Sequence, residues 1–403
     1  MKTKNERLRI LQIFNRYLSY GGEEGSVYRI GDALQELHDV EYFLSSTAEM
    51  LGQGLGAKVM MPFNAAYNRG VIQRLERFQK AGKFDVWQIH NVFPGMSPVV
   101  YAKAFEWDIP IVHYLHNYRL SCVNGLFLNH GEACQRCIQG DFMPALLTKC
   151  WHESHLQSGF MGLILKSVRR LKLFEKVRVW VAISEAQKAV HVKMGIPEDR
   201  IHVIHHFYET KEEVLPLVGP GHALFVGRLS EEKGVYHLLR AWRELSMPGR
   251  KLFIVGEGPE RRRLESFVET EGITGVEFKG FLNREQQREI WNQCLFSVVP
   301  SIWMEPFGMT VLEAWSKGRP VLGNRIGALP ELIEEGKSGY LLNPASSAEL
   351  AERMEQCFRD PKRTLEMGQY GYSVLKERFN RRRWTQEIGV LYAGLGIKSL
   401  EKA

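Results

Sequence analysis

The sequence predicts an α/β protein with two Rossmann-like domains, each a doubly wound parallel sheet flanked by helices. Three observations predict this fold. Short apolar runs alternate with amphipathic stretches, which is typical of parallel strands joined by helices. The 403 residues exceed what a single core usually organises. A connection at 209–221, rich in proline and glycine, divides the alternation into two series.

Six strands are predicted on each side of this connection. The first series covers 8–14, 41–44, 85–90, 111–115, 177–183 and 201–204. The second series covers 223–226, 251–255, 276–279, 295–299, 320–323 and 339–342. Helices are predicted at 348–359, 364–379 and 382–395. We therefore expect domains at 1–207 and 208–380, with a C-terminal helix in 381–403 that packs back on the first domain.

The composition and net charge limit the kinds of partner that the chain is expected to bind. The chain is 44% hydrophobic and 25% charged, as folded soluble proteins are. Polar residues such as Arg9 and Gln12 interrupt any apolar run near the start, so we expect neither a signal peptide nor a membrane span, and a cytoplasmic location. The net charge of +7 indicates an anionic partner. No block of cations resembles a nucleic-acid arm, which leaves a nucleotide or an anionic membrane.

Two cations follow the first predicted strand of the second domain. Arg228 and Lys233 lie five residues apart in a loop that is bounded by Gly227 and Gly234 and leads into a helix. Point charges, backbone N–H groups and the helix dipole meet there, so a diphosphate is the natural ligand. Taken alone, the loop could equally be a solvated turn.

Two carboxylates follow the strand at 295–299. Glu305 lies in the loop and Glu313 on the next helix, and Gly308 between them allows backbone to approach a ligand closely. Carboxylates at this spacing can accept hydrogen bonds from sugar hydroxyls at two points. The alternative for Glu313 is a favourable acid in the first turn of a helix.

These motifs, with the Gly-Ala-Leu-Pro-Glu run at 327–331, resemble glycosyltransferase family 4, which has the GT-B fold of two domains that face a cleft. The resemblance implies retaining transfer of a sugar from a UDP-sugar or GDP-sugar without a catalytic metal. Arg228 and Lys233 would neutralise the leaving diphosphate, Glu305 would hold the donor sugar and Glu313 the ribose. No Asp-x-Asp motif is present to bring a divalent cation, so fixed cations would stabilise the leaving charge.

The resemblance also implies other contacts to the donor in loops that follow strands. These residues are Gly21, Gly22, Gly227, Gly256, Phe281, Leu282, Phe307, Gly308, Met309 and Thr310. His116 resembles the family's histidine near the reacting carbon and is expected to be catalytic, with Glu305, Arg228 and Lys233. His90, Asn91 and Ser184 are expected on the acceptor side, although a serine at 184 could instead cap a helix.

The expected acceptor is a saccharide or a lipid-linked saccharide, in polysaccharide or glycolipid biosynthesis of the bacterial type. Two alternatives stay open: a nucleotide-sugar 2-epimerase of the same fold, and a non-catalytic carbohydrate-binding protein. A zinc hydrolase built on His152 and His155 is excluded, because helical metalloproteases space such histidines by four residues.

A peripheral contact with anionic membrane, at its inner face, is also expected. On a helix, Val71, Ile72, Leu75 and Phe78 share one face. The opposite face carries Arg69, Arg74, Arg77, Lys80 and Lys83, and a second basic stretch holds Lys166, Arg169, Arg170, Lys172, Lys176 and Arg178. Such faces bind anionic lipid. A helix packed into the core with solvated charges is the alternative.

Four cysteines lie in an insertion at 117–155, after His116. Cys122, Cys134, Cys137 and Cys150 include one close pair of the kind that tetrahedral thiolate sites use. The sequence therefore predicts one structural zinc, because a reducing cytoplasm disfavours disulfides. The alternative is four reduced thiols that pack as small apolar groups.

Overall fold

The computed structural model describes residues 7–16, 21–46, 65–210, 214–245, 247–344 and 346–397. The chain forms two compact units. The first comprises Met1–Gly125, Gln135–His205 and Arg382–Ala403, and the second comprises Leu126–Cys134 and His206–Arg381. Each unit is built around one six-stranded sheet.

The sheet of the first unit is parallel, with strand order β2-β1-β3-β4-β7-β8. Its strands are β1 (Arg9–Arg16), β2 (Asp39–Ser46), β3 (Val86–Asn91), β4 (Ile111–Tyr114), β7 (Val179–Ala182) and β8 (Ile201–Val203). Its helices are α1 (Gly22–Leu34), α2 (Arg69–Gly82), α3 (Val99–Glu106), α4 (Met143–Leu147), α5 (His155–Arg170), α6 (Leu173–Lys176) and α7 (Glu185–Lys193). A 3₁₀ turn at Glu198–Arg200 precedes β8.

The second sheet is also parallel, with strand order β11-β10-β9-β12-β13-β14. Its strands are β9 (His222–Val226), β10 (Leu252–Val255), β11 (Val276–Gly280), β12 (Cys294–Val299), β13 (Val321–Asn324) and β14 (Gly339–Leu342). Its helices are α8 (Val235–Glu244), α9 (Arg261–Thr270), α10 (Arg284–Gln293), α11 (Met309–Ser316), α12 (Leu329–Leu332), α13 (Ser347–Arg359) and α14 (Pro361–Arg378). A short antiparallel pair, β5 (Leu128–Asn129) and β6 (Glu132–Ala133), is grouped with this unit.

The prediction of two doubly wound parallel sheets is confirmed, and every predicted strand is present with ends that differ by at most two residues. Central strands such as β3, β4 and β12 are buried along their whole length, because helices cover both faces of a parallel sheet. The last helix, α15 (Arg381–Gly394), places Trp384 and Tyr392 in the core of the first unit. Its Trp384 indole donates to the Tyr114 hydroxyl over 3.2 Å.

Most of the apolar face of α2 is buried, which corrects the prediction that this face binds lipid. Val71, Ile72 and Leu75 are buried in the first unit, and Phe78, which is 38% exposed, meets the Phe43 ring edge-to-face at 5.4 Å. The alternative of a core-packed helix with solvated charges describes α2. Among the described residues, no helix combines the length and apolar character that crossing a membrane requires.

Candidate functional site

The loop after β9 brings its two cations to the edge of the second sheet. A 3₁₀ turn at Glu231–Lys233 ends at Gly234, whose left-handed backbone (φ +68°) starts α8. A β-carbon at Gly234 would lie 1.9 Å from the Pro300 carbonyl oxygen, so glycine alone allows the loops after β9 and β12 to touch. The contact fixes Lys233 beside the loop that carries Glu305.

Arg228 and Glu232 form an ion pair inside this loop. The Arg228 guanidinium donates to Glu232 Oε1 over 2.8 Å, and the Ser230 hydroxyl donates to the same oxygen over 2.7 Å. Burial opposes ionisation of Glu232, but the Ser230 hydrogen bond and the Arg228 charge outweigh it and lower its pKa. Glu232 is thus a buried anion that orients Arg228, whose side chain remains 59% exposed and open to a ligand.

Three side chains hold the Glu305 carboxylate, two from the loop after β12 and one from the loop after β9. Its Oε2 atom accepts from the Ser301 hydroxyl and the Trp303 indole, both over 2.9 Å, and from Lys233 Nζ over 3.0 Å. Lys233 Nζ also lies 5.1 Å from the centre of the Trp303 ring. Because β9 and β12 are neighbouring strands, this ion pair joins the two loops predicted to carry the chemistry. Glu305 is buried, so its orientation is fixed.

Glycines also shape the remaining loops at this edge. A β-carbon at Gly256 would lie 1.9 Å from the Gly227 carbonyl oxygen, which brings the loop after β10 against the loop after β9. Gly327 lies directly against the backbone of Glu305, whose carbonyl accepts from the Ala328 N–H over 2.9 Å. The backbone around Glu305 therefore depends on the Gly-Ala-Leu-Pro-Glu run.

The other predicted donor residues of this unit are placed around the same edge. Gly308 (φ +111°) starts α11, which carries Met309, Thr310 and Glu313, all partly exposed. Phe307 is buried and meets the His206 ring edge-to-face at 5.4 Å. After β11, Phe281 is 80% exposed and Leu282 is partly exposed.

The first unit contains a buried cluster around His90 and His116. His90 Nδ1 lies 2.8 Å from His116 Nε2, and both rings stack with Tyr114. His90 Nε2 lies 2.7 Å from Gln12 Oε1 and 3.1 Å from Gln88 Nε2. Gln88 Oε1 in turn accepts from the Tyr392 hydroxyl over 2.6 Å.

Burial also sets the charge of His116. It lowers the pKa of His116 to about 3, so its ring is neutral at neutral pH. The short contact between His90 Nδ1 and His116 Nε2 needs an N–H on one of these nitrogens and a lone pair on the other.

The remaining predicted residues of the first unit lie at strand ends or helix starts. Gly21 precedes α1 and Gly22 is its first residue, and a β-carbon at either would meet open space. Asn91 ends β3 and accepts from the Phe93 N–H over 2.9 Å. Ser184 is buried and caps α7, because its hydroxyl accepts from the Gln187 N–H over 3.0 Å. The structure thus gives Ser184 the capping role that the sequence left as an alternative.

The four cysteines of the predicted zinc site are free thiols, and the zinc site stays a prediction. Within the described parts of the chain, which include all four cysteines, no three His, Cys, Asp or Glu side chains are arranged to hold a metal ion. Separate turns hold these cysteines: the Cys134 N–H donates to Phe127, and the Cys150 N–H to Ala145 at α4. Cys122 is buried with its thiol 3.0 Å from Asn124 Oδ1, and Cys137 is also buried.

Several residues of these clusters were not predicted. Ser301, Trp303 and Glu232 lie in the two loops that were singled out, and a polar or aromatic residue directly after a buried strand was the available signal. Gln12, Gln88 and Tyr392 carry no such signal, because they come from β1, β3 and α15.

Comparisons with known proteins agree with this geometry. A family model described as "Glycosyltransferase Family 4" matches residues 20–212, and one described as "Glycosyl transferases group 1" matches residues 208–374. Alpha-D-kanosaminyltransferase of Streptomyces kanamyceticus is 27% identical over 177 residues, or 43% of this chain and 46% of that protein. O-antigen chain mannosyltransferase C of Escherichia coli is 28% identical over 194 residues, or 48% and 51%. The chain therefore spans about half the length of the curated relatives it matches.

A solved structure is similar along nearly the whole chain. Anabaena HepE, crystallised in complex with UDP and glucose, superposes with a TM-score of 0.69 over 96% of this chain and 100% of that chain. The two sequences are 19% identical, so this similarity concerns the fold.

Proposed function

The chain belongs to glycosyltransferase family 4, and we propose that it transfers a sugar from a nucleotide-diphosphate sugar with retention of the anomeric configuration. The Lys233–Glu305 ion pair at the ends of two neighbouring strands carries this proposal, with Arg228 in the same loop. Transfer breaks the bond between the sugar carbon and the diphosphate, which departs with the electron pair. Cations fixed before the reaction stabilise that developing charge most effectively.

Each residue of this cluster has a role that its contacts support. Lys233 keeps a third N–H for a phosphate oxygen while its charge also balances Glu305. Arg228, held by Glu232, presents the rest of its planar guanidinium to the diphosphate. Glu305 and Glu313 would accept hydrogen bonds from the donor sugar and the ribose. His116, whose ring is neutral, would contact a substrate hydroxyl.

We propose UDP as the first nucleotide to test, because HepE was crystallised with UDP and glucose. GDP is the second. The proposed acceptor is a saccharide or a lipid-linked saccharide in polysaccharide biosynthesis, since one relative is an O-antigen chain mannosyltransferase. Gly21, Gly22, Phe281 and Leu282 remain proposed donor contacts, and His90 and Asn91 remain proposed acceptor contacts.

A thermal-shift panel of UDP, GDP and their sugars tests the donor. A ligand at a hundred times its dissociation constant stabilises the folded protein by about 2.7 kcal/mol, which is readily seen as a higher melting temperature. The best donor is then incubated with saccharide and lipid-linked acceptors, and NMR of the product reads the anomeric configuration. Inversion would contradict the retaining mechanism. An epimerised donor, or binding without any product, would support one of the two alternatives.

Arg228→Met should weaken binding of the nucleoside diphosphate about tenfold to a hundredfold, because a charge-assisted hydrogen bond contributes about 1.5–3 kcal/mol. Arg363→Met is the matched control: Arg363 on α14 is 56% exposed and also pairs with a glutamate on its own helix. Titration calorimetry with UDP or GDP measures both variants. Equal loss in the two variants would show that Arg228 acts only through net charge.

A further inference from the structure

An apolar surface protrudes from the first unit at α4 and α5. Met143, Leu147, Leu156 and Leu163 are 54%, 68%, 86% and 66% exposed. We call these four residues the α4–α5 patch. The other large apolar side chains that the structure shows as exposed are distributed over both units, so the patch concentrates surface that soluble proteins rarely gather in one place.

The four side chains form one surface because α4 and α5 pack together. A β-carbon at Gly159 would lie 3.0 Å from Leu146 Cδ1, and His155 Nδ1 lies 2.7 Å from the Leu146 carbonyl oxygen. Met143 and Leu147 are one turn apart on α4, while Leu156 and Leu163 are two turns apart on α5. The exposed leucines therefore border the line along which the two helices touch.

Stability of the fold does not require these side chains. The opposite face of α5 buries Met161, Ile164, Leu165 and Val168, which supply its packing in the first unit. Leu156 and Leu163 lie outside this buried stripe, where a polar residue would fold equally well. Apolar side chains in such positions indicate a surface that is covered by a partner.

Positive charge lies beside the patch on α5. The solvent face of α5 continues through Lys166 and Arg170, and further exposed lysines follow α4 and lie around α6. Lys149 follows Leu147 by two residues, Lys166 and Arg170 continue the face of Leu163 on α5, and exposed Lys172 and Lys176 lie further along the chain. Exposed acids in the same stretch are Asp141, Glu153 and Glu175. Exposed leucines beside cations suit an anionic bilayer, because leucines can enter the boundary between headgroups and acyl chains while cations contact the lipid phosphates.

We propose that the α4–α5 patch docks on the surface of an anionic lipid bilayer. The leucines enter the boundary between headgroups and acyl chains, and Lys166 and Arg170 contact lipid phosphates. A second copy of the chain fits less well, because two identical sets of cations would face each other. The proposal concerns a surface distinct from the cluster around Glu305 and does not rest on sugar transfer.

Vesicle flotation of the full chain tests the proposal. We expect binding to phosphatidylcholine vesicles that contain phosphatidylglycerol, and weak binding to phosphatidylcholine alone. Leu156→Ser/Leu163→Ser and Lys166→Gln/Arg170→Gln should each reduce binding to the anionic vesicles roughly tenfold or more. Val218→Ser/Val390→Ser, which removes two apolar side chains exposed elsewhere, is the matched control and should bind as the wild type does.

Circular dichroism melting confirms that each variant is folded before it is scored. Two results would overturn the proposal: equal binding of the wild type and the two patch variants, or no preference of the wild type for anionic vesicles. Sedimentation equilibrium tests the alternative partner, a second copy of the chain. A dimer that dissociates in Leu156→Ser/Leu163→Ser, without vesicle binding by the wild type, would identify the patch as an interface between copies.

Discussion

Replacing Glu305 by glutamine removes the charge at the centre of the second unit's cluster and keeps the shape of the side chain. The amide oxygen can take the place of Oε2 and still accept from Ser301 and Trp303. The amide nitrogen then occupies the place of Oε1, which lies 3.3 Å from Lys233 Nζ. Two donors face each other there, while the amide oxygen still accepts from Lys233 at 3.0 Å, so the Lys233 interaction loses its charge and is weakened.

The size of the effect follows from these contacts. A hydrogen bond to a charged group contributes about 1.5–3 kcal/mol and a neutral one about 0.5–1.5 kcal/mol, so the Ser301 and Trp303 bonds lose roughly 1 kcal/mol each. The weakened Lys233 interaction adds roughly 1 kcal/mol, near the low end because the lysine is partly exposed and screened by solvent. We expect a total loss near 3 kcal/mol, which lowers the melting temperature of a unit of this size by about 6–12 °C.

A double-mutant cycle with Lys233→Met isolates the pair. Lys233→Met removes the donor that faces the amide, so the double variant should be more stable than additive losses predict by about 1–2 kcal/mol. The matched cycle uses Arg359 and Glu355, an exposed pair on α13 in the same unit, with expected coupling below about 0.5 kcal/mol. Additive losses at Glu305 and Lys233 in urea unfolding would refute a direct ion pair. Glu305→Gln should also lose turnover and keep its affinity for UDP or GDP.

Two further predictions concern pH and a glycine. Burial lowers the pKa of four histidines in the first unit, to about 4 for His38 and His191 and to about 3 for His113 and His116. Below about pH 6.5 the unfolded chain binds protons that the folded unit does not, so stability should fall by about 1.4 kcal/mol per pH unit for each histidine as pH drops towards 4. Calorimetry that shows constant stability from about pH 7 to about pH 5 would contradict this. Gly234→Ala should destabilise the second unit by more than Gly336→Ala, about 3 against about 1 kcal/mol, because both have φ near +70° but only Gly234 meets a carbonyl, that of Pro300. Equal urea midpoints for the two variants would show that the contact with Pro300 is tolerated.

The predicted strands were confirmed because their signal is local. A buried parallel strand is a short run of apolar and β-branched residues, and its pattern does not depend on which strand lies beside it. The pair β5 and β6 was missed for the same reason, since two-residue strands contain no alternation to detect. The zinc site stays a prediction, because cysteine spacing does not specify the turns in which Cys134 and Cys150 lie.

The candidate site was predictable where it depends on strand order alone. Arg228, Lys233 and Glu305 each follow a strand, and the ends of parallel strands share one edge of the sheet. The partners of the histidines could not be found in this way. Tyr392 approaches Gln88 because α15 packs on the first unit, and that packing depends on the shape of two finished surfaces.

Helix periodicity indicates which face of a helix is apolar and does not indicate what covers that face. On α2 a single apolar stripe, Val71, Ile72 and Leu75, is buried by the first unit. On α5 the buried stripe is supplied by other residues, and Leu156 and Leu163 remain outside it. An amphipathic pattern is therefore evidence that one face of a helix packs on the core of its own domain. Apolar residues outside that buried face are evidence for contact with a second partner. For this reason we propose the lipid-binding surface at α5 and not at α2.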